Sequence, residues 1–141
     1  MNTTEQAYGE WIESLAEWDW FVYLTFKHPT SPRTANRLWK KWLRLLEKEV
    51  NGQVHFVRVL EESEEDDRIH YHCFLAGIKD QKPSIWERVW HNIAGIAQIR
   101  PYINGGGGAV YIGAKCSKGC DVAFSKHIER VGRHIEYDLA T

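Results

Sequence analysis

His70, Tyr71 and His72 are the residues whose types and spacing point most directly to chemistry. In a strand, successive side chains alternate faces, so the two imidazoles project together and Tyr71 projects away. Two imidazoles on one face supply two corners of a metal site. The third donor is expected from the neighbouring strand, where Glu61 and Glu62 come at the end, nearly opposite the histidines. Period two lets only one of them face the site; Glu61 is taken first, with Glu62 as the alternative. Imidazole with carboxylate and open water positions suits Mn²⁺ or Mg²⁺ bridging a phosphate, while imidazole alone also accepts Zn²⁺. The rest of the acidic run, Glu64, Glu65, Asp66 and Asp67, reads as a solvated turn.

Tyr111, Lys115 and Lys118 form a second constellation. On a helix, positions i, i+4 and i+7 share a face, which puts both ammonium groups beside the phenol. A phenol with a pKa near 10 is a poor nucleophile at neutral pH, and nearby cations with a metal-polarised phosphate would help it attack. The plain alternative is a core tyrosine with two surface lysines. The four glycines at 105–108, directly before this helix, favour the chemical reading, because they would let the phenol swing into and out of a site.

These residues need a scaffold. Tyr8, Trp11, Ile12, Leu15 and Trp18 recur at helical spacing, which predicts an amphipathic helix over 5–18. The β-branched and aromatic run 20–26 predicts a strand. Ser31 as cap and Pro32 at the first position open a helix whose buried stripe is Leu38, Trp39, Trp42, Leu45 and Leu46, ending at Asn51-Gly52. Strands are expected at 54–60 and 68–77, joined as a hairpin. A helix follows over 84–93 with Ile85, Trp86, Val89, Trp90 and Ile93 inward, then a strand over 97–103. Helices over 109–118 and 125–137 close the chain. From residue 20 the order is β-α-β-β-α-β, which predicts an α+β fold of the split βαβ type, ferredoxin- or RRM-like: an antiparallel four-stranded sheet with flanking helices and a C-terminal tyrosine-bearing helix. Its first and third strands should be central, with the histidine strand beside 21–26. The whole of 1–141 is read as one domain, with 1–19 as an N-terminal helix, 20–104 as the core, and 109–141 as the tyrosine helix and a last helix.

Composition narrows the class. An apolar fraction of 43% and a charged fraction of 26% belong to an ordinary globular chain. Seven Trp, six Tyr and five Phe are many for 141 residues, and such side chains both fill cores and stack on unpaired bases. A net charge of −1 excludes bulk basicity, so nucleic-acid binding would rely on local patches. Cys73, Cys116 and Cys120 give no disulfide framework and point to a reducing compartment. There is no signal-peptide pattern and no apolar run of about 18 residues, so a cytoplasmic protein without membrane contact is expected.

In order along the chain, Phe21-Val22-Tyr23-Leu24-Thr25-Phe26, His70-Tyr71-His72 and Val110-Tyr111-Ile112-Gly113-Ala114-Lys115 resemble the three motifs of the HUH endonucleases of rolling-circle replication and single-strand transposition. The likeness covers nearly everything from Trp20 on. It implies single-stranded or hairpin DNA as partner, with a divalent ion held by His70, His72 and Glu61. It implies Tyr111 as the nucleophile that leaves a 5′-phosphotyrosine and a free 3′-hydroxyl, and Lys115 or Lys118 as the phosphate clamp. Many members carry lysine three residues after the tyrosine, where this chain has Ala114. Some initiators carry a second tyrosine four residues on, where this chain has Lys115, and this argues for one nucleophile per chain. Tyr102 and Tyr137 read as structural. With no helicase domain following, a host helicase and polymerase are the expected further partners. The pattern is nearer to replication initiators than to transposases, which exchange tyrosine helices between two copies. A non-catalytic RRM-like module for single strands is the rival from another class; it predicts that metal and Tyr111 are dispensable.

Three further groups carry weaker signals. Arg33, Arg37, Lys40, Lys41, Arg44 and Lys48 make a basic helix face that suits a phosphate backbone or is simply solvated. Lys126, Arg130, Arg133 and His134 form a similar C-terminal patch. Cys116 and Cys120, one turn apart, could ligate a metal with Cys73, but no fourth ligand has suitable spacing.

Overall fold

A computed structural model describes residues 3–128 of the chain. The elements run α1 (Thr3–Ser14), β1 (Trp20–Leu24), α2 (Pro32–Val50), β2 (His55–Glu62), β3 (Ile69–Ala76), α3 (Pro83–Ile93), β4 (Ala97–Pro101), α4 (Gly108–Ser117) and β5 (Val122–Phe124). They form an antiparallel α+β sheet in the order β4-β1-β3-β2-β5. The first four positions are the split βαβ arrangement expected, with the first and third strands at the centre. Among the described residues, no helix is long and apolar enough to cross a membrane.

Local chemistry sets the boundaries. The Ser31 side chain accepts a hydrogen bond from the Thr34 N–H, Pro32 occupies the first turn, and Asn51 closes α2 in the left-handed region at φ 55°. α2 and α3 cover one face of the sheet, where Trp39, Trp42, Trp86 and Trp90 meet Val22, Leu24, Tyr71, Cys73 and Leu75. Burying an indole is favourable only if its N–H is bonded. Trp42 donates to the Trp86 carbonyl at 3.1 Å and Trp90 to the Thr25 carbonyl at 2.9 Å. Arg58 lies on this same face, its guanidinium stacked 4.4 Å from the Tyr71 ring centre and bonded to Asn36.

The other face carries His70, His72 and Phe74, and it is not left open. Ile12, Leu15 and Trp18 pack on Val57, Val59, Phe74 and Ala76, together with Ala109 and Ile112 of α4. Two helices therefore cover part of the face that an RRM-like module would present whole. α1 and α4 cross closely. A Cβ on Gly113 would lie 2.6 Å from the Gly9 nitrogen and 2.7 Å from the Glu5 carbonyl oxygen, so only hydrogen fits at that crossing.

Several expectations change. α1 stops at Ser14 rather than 18, and Tyr8 and Trp11 are 39% and 41% exposed, because the buried stripe of α1 is built around Gly9 and Ile12. Leu45 and Ile85 also face outward. β5 takes the place of the loop expected before a helix from 125: residues 122–124 add to the edge of β2, with Val122 opposite Val59 and Phe124 opposite Val57. Three residues are too few to show alternation. Residues 125–127 are not helical, and His127 has φ 66°. The remainder of the helix expected to 137, with Arg130, Arg133, His134 and Tyr137, lies outside the described residues.

Candidate metal and tyrosine site

Register brings the candidate ligands together. β2 continues through Glu62, so Glu61 sits within the ladder, directly opposite His70. Alternation turns Glu61 to the histidine face, and Glu62, opposite Ile69, points to the other face. This resolves the choice between the two carboxylates in favour of Glu61 as the one beside the histidines. Glu61 Oε2 accepts from His70 Nε2 at 2.9 Å and from His72 Nδ1 at 3.0 Å. All three side chains are mostly buried but still reach solvent, at 11%, 16% and 19% exposure for Glu61, His70 and His72.

The second constellation meets the first at the same carboxylate. The Tyr111 hydroxyl donates to both Glu61 oxygens at 2.7 Å. Lys115 Nζ lies 3.1 Å from Glu61 Oε1 and 5.3 Å from the centre of the Tyr111 ring. Of the two lysines it is thus Lys115 that joins the cluster. Lys118 is the exposed C-terminal cap of α4. Helical spacing does set Lys115 beside Tyr111, but α4 ends at Ser117, one residue before Lys118.

These contacts set the electrostatics. Burial alone would raise the Glu61 carboxyl; hydrogen bonds from Tyr111, Lys115 and His70, with the charge of His72, outweigh it and hold it at about 2. Tyr111 is pushed up, by burial first and then by its bond to the Glu61 anion. Burial is also the main reason that His72 lies below the usual imidazole value, against the pull of Glu61. The site therefore rests as a carboxylate anion facing a neutral phenol.

The donor set fits a small divalent ion. One ligand atom each from Glu61, His70 and His72 lies within 4.8 Å of the others. The carboxylate oxygen is 2.9 and 3.0 Å from the two imidazole nitrogens. An octahedral ion with bonds of about 2.1 Å sets neighbouring donors about 3 Å apart. Loading it requires each imidazole to carry its proton on the other ring nitrogen, so that the lone pairs face the ion.

One contributor stands outside the sequence candidates. Tyr23 lies opposite His72 in the β1–β3 register, with its ring centre 4.8 Å from that of His72 and 5.2 Å from that of His70. Alternation from Val22 and Leu24, both buried on the other face, is the signal that could have found it. The expected glycine hinge is only partly a hinge. Gly105 and Gly107 take positive φ of 71° and 94° with open space around them, whereas Gly108 is wedged against the Phe21 ring. Glu13 of α1 ties the start of this run down, accepting from the Tyr102 hydroxyl at 2.6 Å and the Gly105 N–H at 2.9 Å. The basic residues of α2 are exposed on the far side of the sheet from the cluster. Cys73 is fully buried among the α2 and α3 core residues, away from Cys116 and Cys120, so the three thiols do not form a ligand set.

No curated protein and no solved structure matches the chain significantly. Residues 19–120 match a family model of replication-associated proteins, the ORF2 type, and that span holds Glu61, both histidines, Tyr111 and Lys115. The chain belongs to that replication-associated protein family.

Proposed function

We propose that the protein is a metal-dependent endonuclease and ligase of single-stranded DNA that works through a covalent 5′-phosphotyrosine, as an HUH endonuclease that initiates rolling-circle replication. One observation carries this reading: a single carboxylate, Glu61, touches two imidazoles, a phenol and an ammonium group. Packing does not need such convergence, whereas phosphoryl transfer needs each of those groups. Membership in a replication-associated family supplies the biological setting.

Glu61, His70 and His72 would hold the ion, with Mn²⁺ or Mg²⁺ the fitting choice for mixed imidazole and carboxylate donors. When bound, the ion supplies Lewis-acid polarisation of a phosphoryl oxygen. Glu61 engaged in this way gives up its hold on the Tyr111 hydroxyl, which becomes available to the phosphate. Lys115, already beside the phenol, favours the phenolate and steadies the negative charge that grows on the phosphoryl oxygens. The Tyr111 oxygen forms a bond to phosphorus while the bond from phosphorus to the 3′ oxygen breaks. The phenol proton passes to solvent, and the departing 3′ oxygen takes one up. The exchange is one phosphodiester for another, so the 3′-hydroxyl can attack in reverse and rejoin the strand.

The test is to mix the protein with a single-stranded DNA library and Mn²⁺ and resolve the products on a denaturing gel. The expected result is a slow-migrating covalent adduct that requires the metal and disappears in Tyr111→Phe. Binding without any adduct across diverse sequences and hairpins would replace this reading with a non-catalytic single-strand module.

A further inference from the structure

Next to the histidines lies a cavity of about 370 Å³ that the chemistry above leaves unused. It falls at the lower end of the ~300–1,000 Å³ typical of small-ligand sites. Tyr23 and Ile96 form its apolar walls, Lys27 and Arg68 stand at its rim, and His70 and Ser63 line it on the side of the cluster. Ile96 is 59% exposed, although nothing in the core requires an isoleucine there. Arg68 is half exposed, and its pairing with Asp66 is long at 4.0 Å, so its guanidinium is cheaply recruited.

Position decides what this cavity can take. Along β3 the cavity borders the hairpin end, at Ile69 and His70. α4 approaches from the opposite end, with Gly108 against Phe21 and Phe74, and delivers Tyr111 to Glu61 and to the His72 ring, 5.0 Å away. The nucleophile and the cavity thus flank the cluster on opposite sides. In-line displacement at phosphorus puts the leaving oxygen opposite the attacking one.

We propose that this cavity seats the nucleotide on the 5′ side of the cleaved phosphate, which departs bearing the 3′-hydroxyl and must be kept in place for rejoining. The proposal rests on the tyrosine chemistry above and adds to it where each half of the cut strand goes. The base lies against Tyr23 and Ile96, as unpaired bases lie on aromatic and apolar side chains elsewhere. Lys27 and Arg68 meet the phosphates further upstream. Retention of the 3′ end makes the enzyme a ligase rather than only a nuclease, because the second reaction is then intramolecular in effect.

The experiment isolates the covalent intermediate. An oligonucleotide whose cut position is known from adducts selected out of a random single-stranded library is used to load the wild-type chain, Ile96→Glu and Arg68→Ala. Each purified adduct is then offered the 3′-hydroxyl strand at a range of concentrations. The expected result is an apparent KM for that strand raised about tenfold in Ile96→Glu, in line with what one stacked base contributes, and severalfold in Arg68→Ala. An abasic 3′-terminal nucleotide should cost the wild type a similar factor and cost Ile96→Glu little more. Both substitutions are at exposed positions, and circular dichroism checks that the variants fold. A KM in Ile96→Glu within twofold of wild type, with the adduct forming normally, overturns the subsite and leaves the tyrosine chemistry standing. Failure of the wild-type chain to form any adduct overturns both.

Discussion

Tyr111 holds its hydroxyl 2.7 Å from each carboxylate oxygen of Glu61, so the proposed nucleophile and a proposed metal ligand share one hydrogen bond. The bond works against reaction in the resting site: the Glu61 anion keeps the phenol protonated. Engaging the carboxylate elsewhere weakens that hold. In Glu61→Gln the negative charge is gone, and Mn²⁺ affinity should fall by at least about tenfold in calorimetric titration. The Tyr111 phenol should also move down toward its ordinary value of about 10. An ultraviolet phenolate titration, with Tyr111→Phe as the reference, reads this directly; an unmoved phenol would mean that burial alone raises it.

The two lysines make a sharper comparison. Lys115 touches Glu61 and Tyr111, while Lys118 is the exposed helix cap. Lys115→Ala should slow adduct formation by about 10²-fold, the usual loss for one preorganised charge-stabilising donor. Lys118→Ala should change it less than about threefold. Single-turnover rates at saturating DNA and Mn²⁺ separate the two, and equal losses would place the clamp elsewhere.

The carboxylate also links stability to pH. Glu61 is held at about 2 in the folded chain against an ordinary 4.5, so the folded state binds its proton less readily than the unfolded state. Its contribution is complete above about 4.5 and is lost as pH falls from there toward 2. Thermal melts of metal-free protein across that range should show wild type losing its advantage over Glu61→Gln. Metal binding is lost at higher pH, because a ligating imidazole must be unprotonated. Burial keeps His72 below 6.5, so Mn²⁺ affinity should persist to pH values somewhat under 6.5 and decline on further acidification.

Helix contact makes a prediction far from the chemistry. Gly113→Ala would force a methyl group to within 2.6 Å of the Gly9 backbone nitrogen. Overpacking of this kind costs about 1–3 kcal/mol, and here it must push α4, and Tyr111 with it, away from α1. Melting temperature should fall by several degrees and the rate of adduct formation should fall with it, while Mn²⁺ affinity, set by β2 and β3, stays near wild type. Unchanged stability would show that the crossing has slack.

Thiol chemistry tests the core. Cys73 is completely buried, and that burial raises its thiol pKa above the ordinary value, whereas Cys116 and Cys120 are partly accessible. Ellman's reagent should titrate at most two of the three thiols in native protein, and the third only in denaturant. Rapid reaction of all three would contradict the packing under α2 and α3.

The strand motif carried most of the site in its own spacing. Period two is a property of any extended chain, so His70 and His72 had to share a face, and one of Glu61 and Glu62 had to join them. Helical periodicity likewise put Lys115 beside Tyr111, and the Ser31-Pro32 pair and Asn51 marked both ends of α2 through their own backbone preferences. Tertiary structure decided the rest, because it depends on what lies across space. Strand register chose Glu61 over Glu62 and placed Tyr23 against both imidazoles. The end of α4 chose Lys115 over Lys118. β5 exists because β2 offers it an edge, which three residues cannot announce. The closeness of α1 and α4 follows from two glycines more than 100 positions apart, Gly9 and Gly113, whose shared meaning appears only when the helices cross. A local pattern dictates which way a side chain points, but its partner is set by packing of the whole chain.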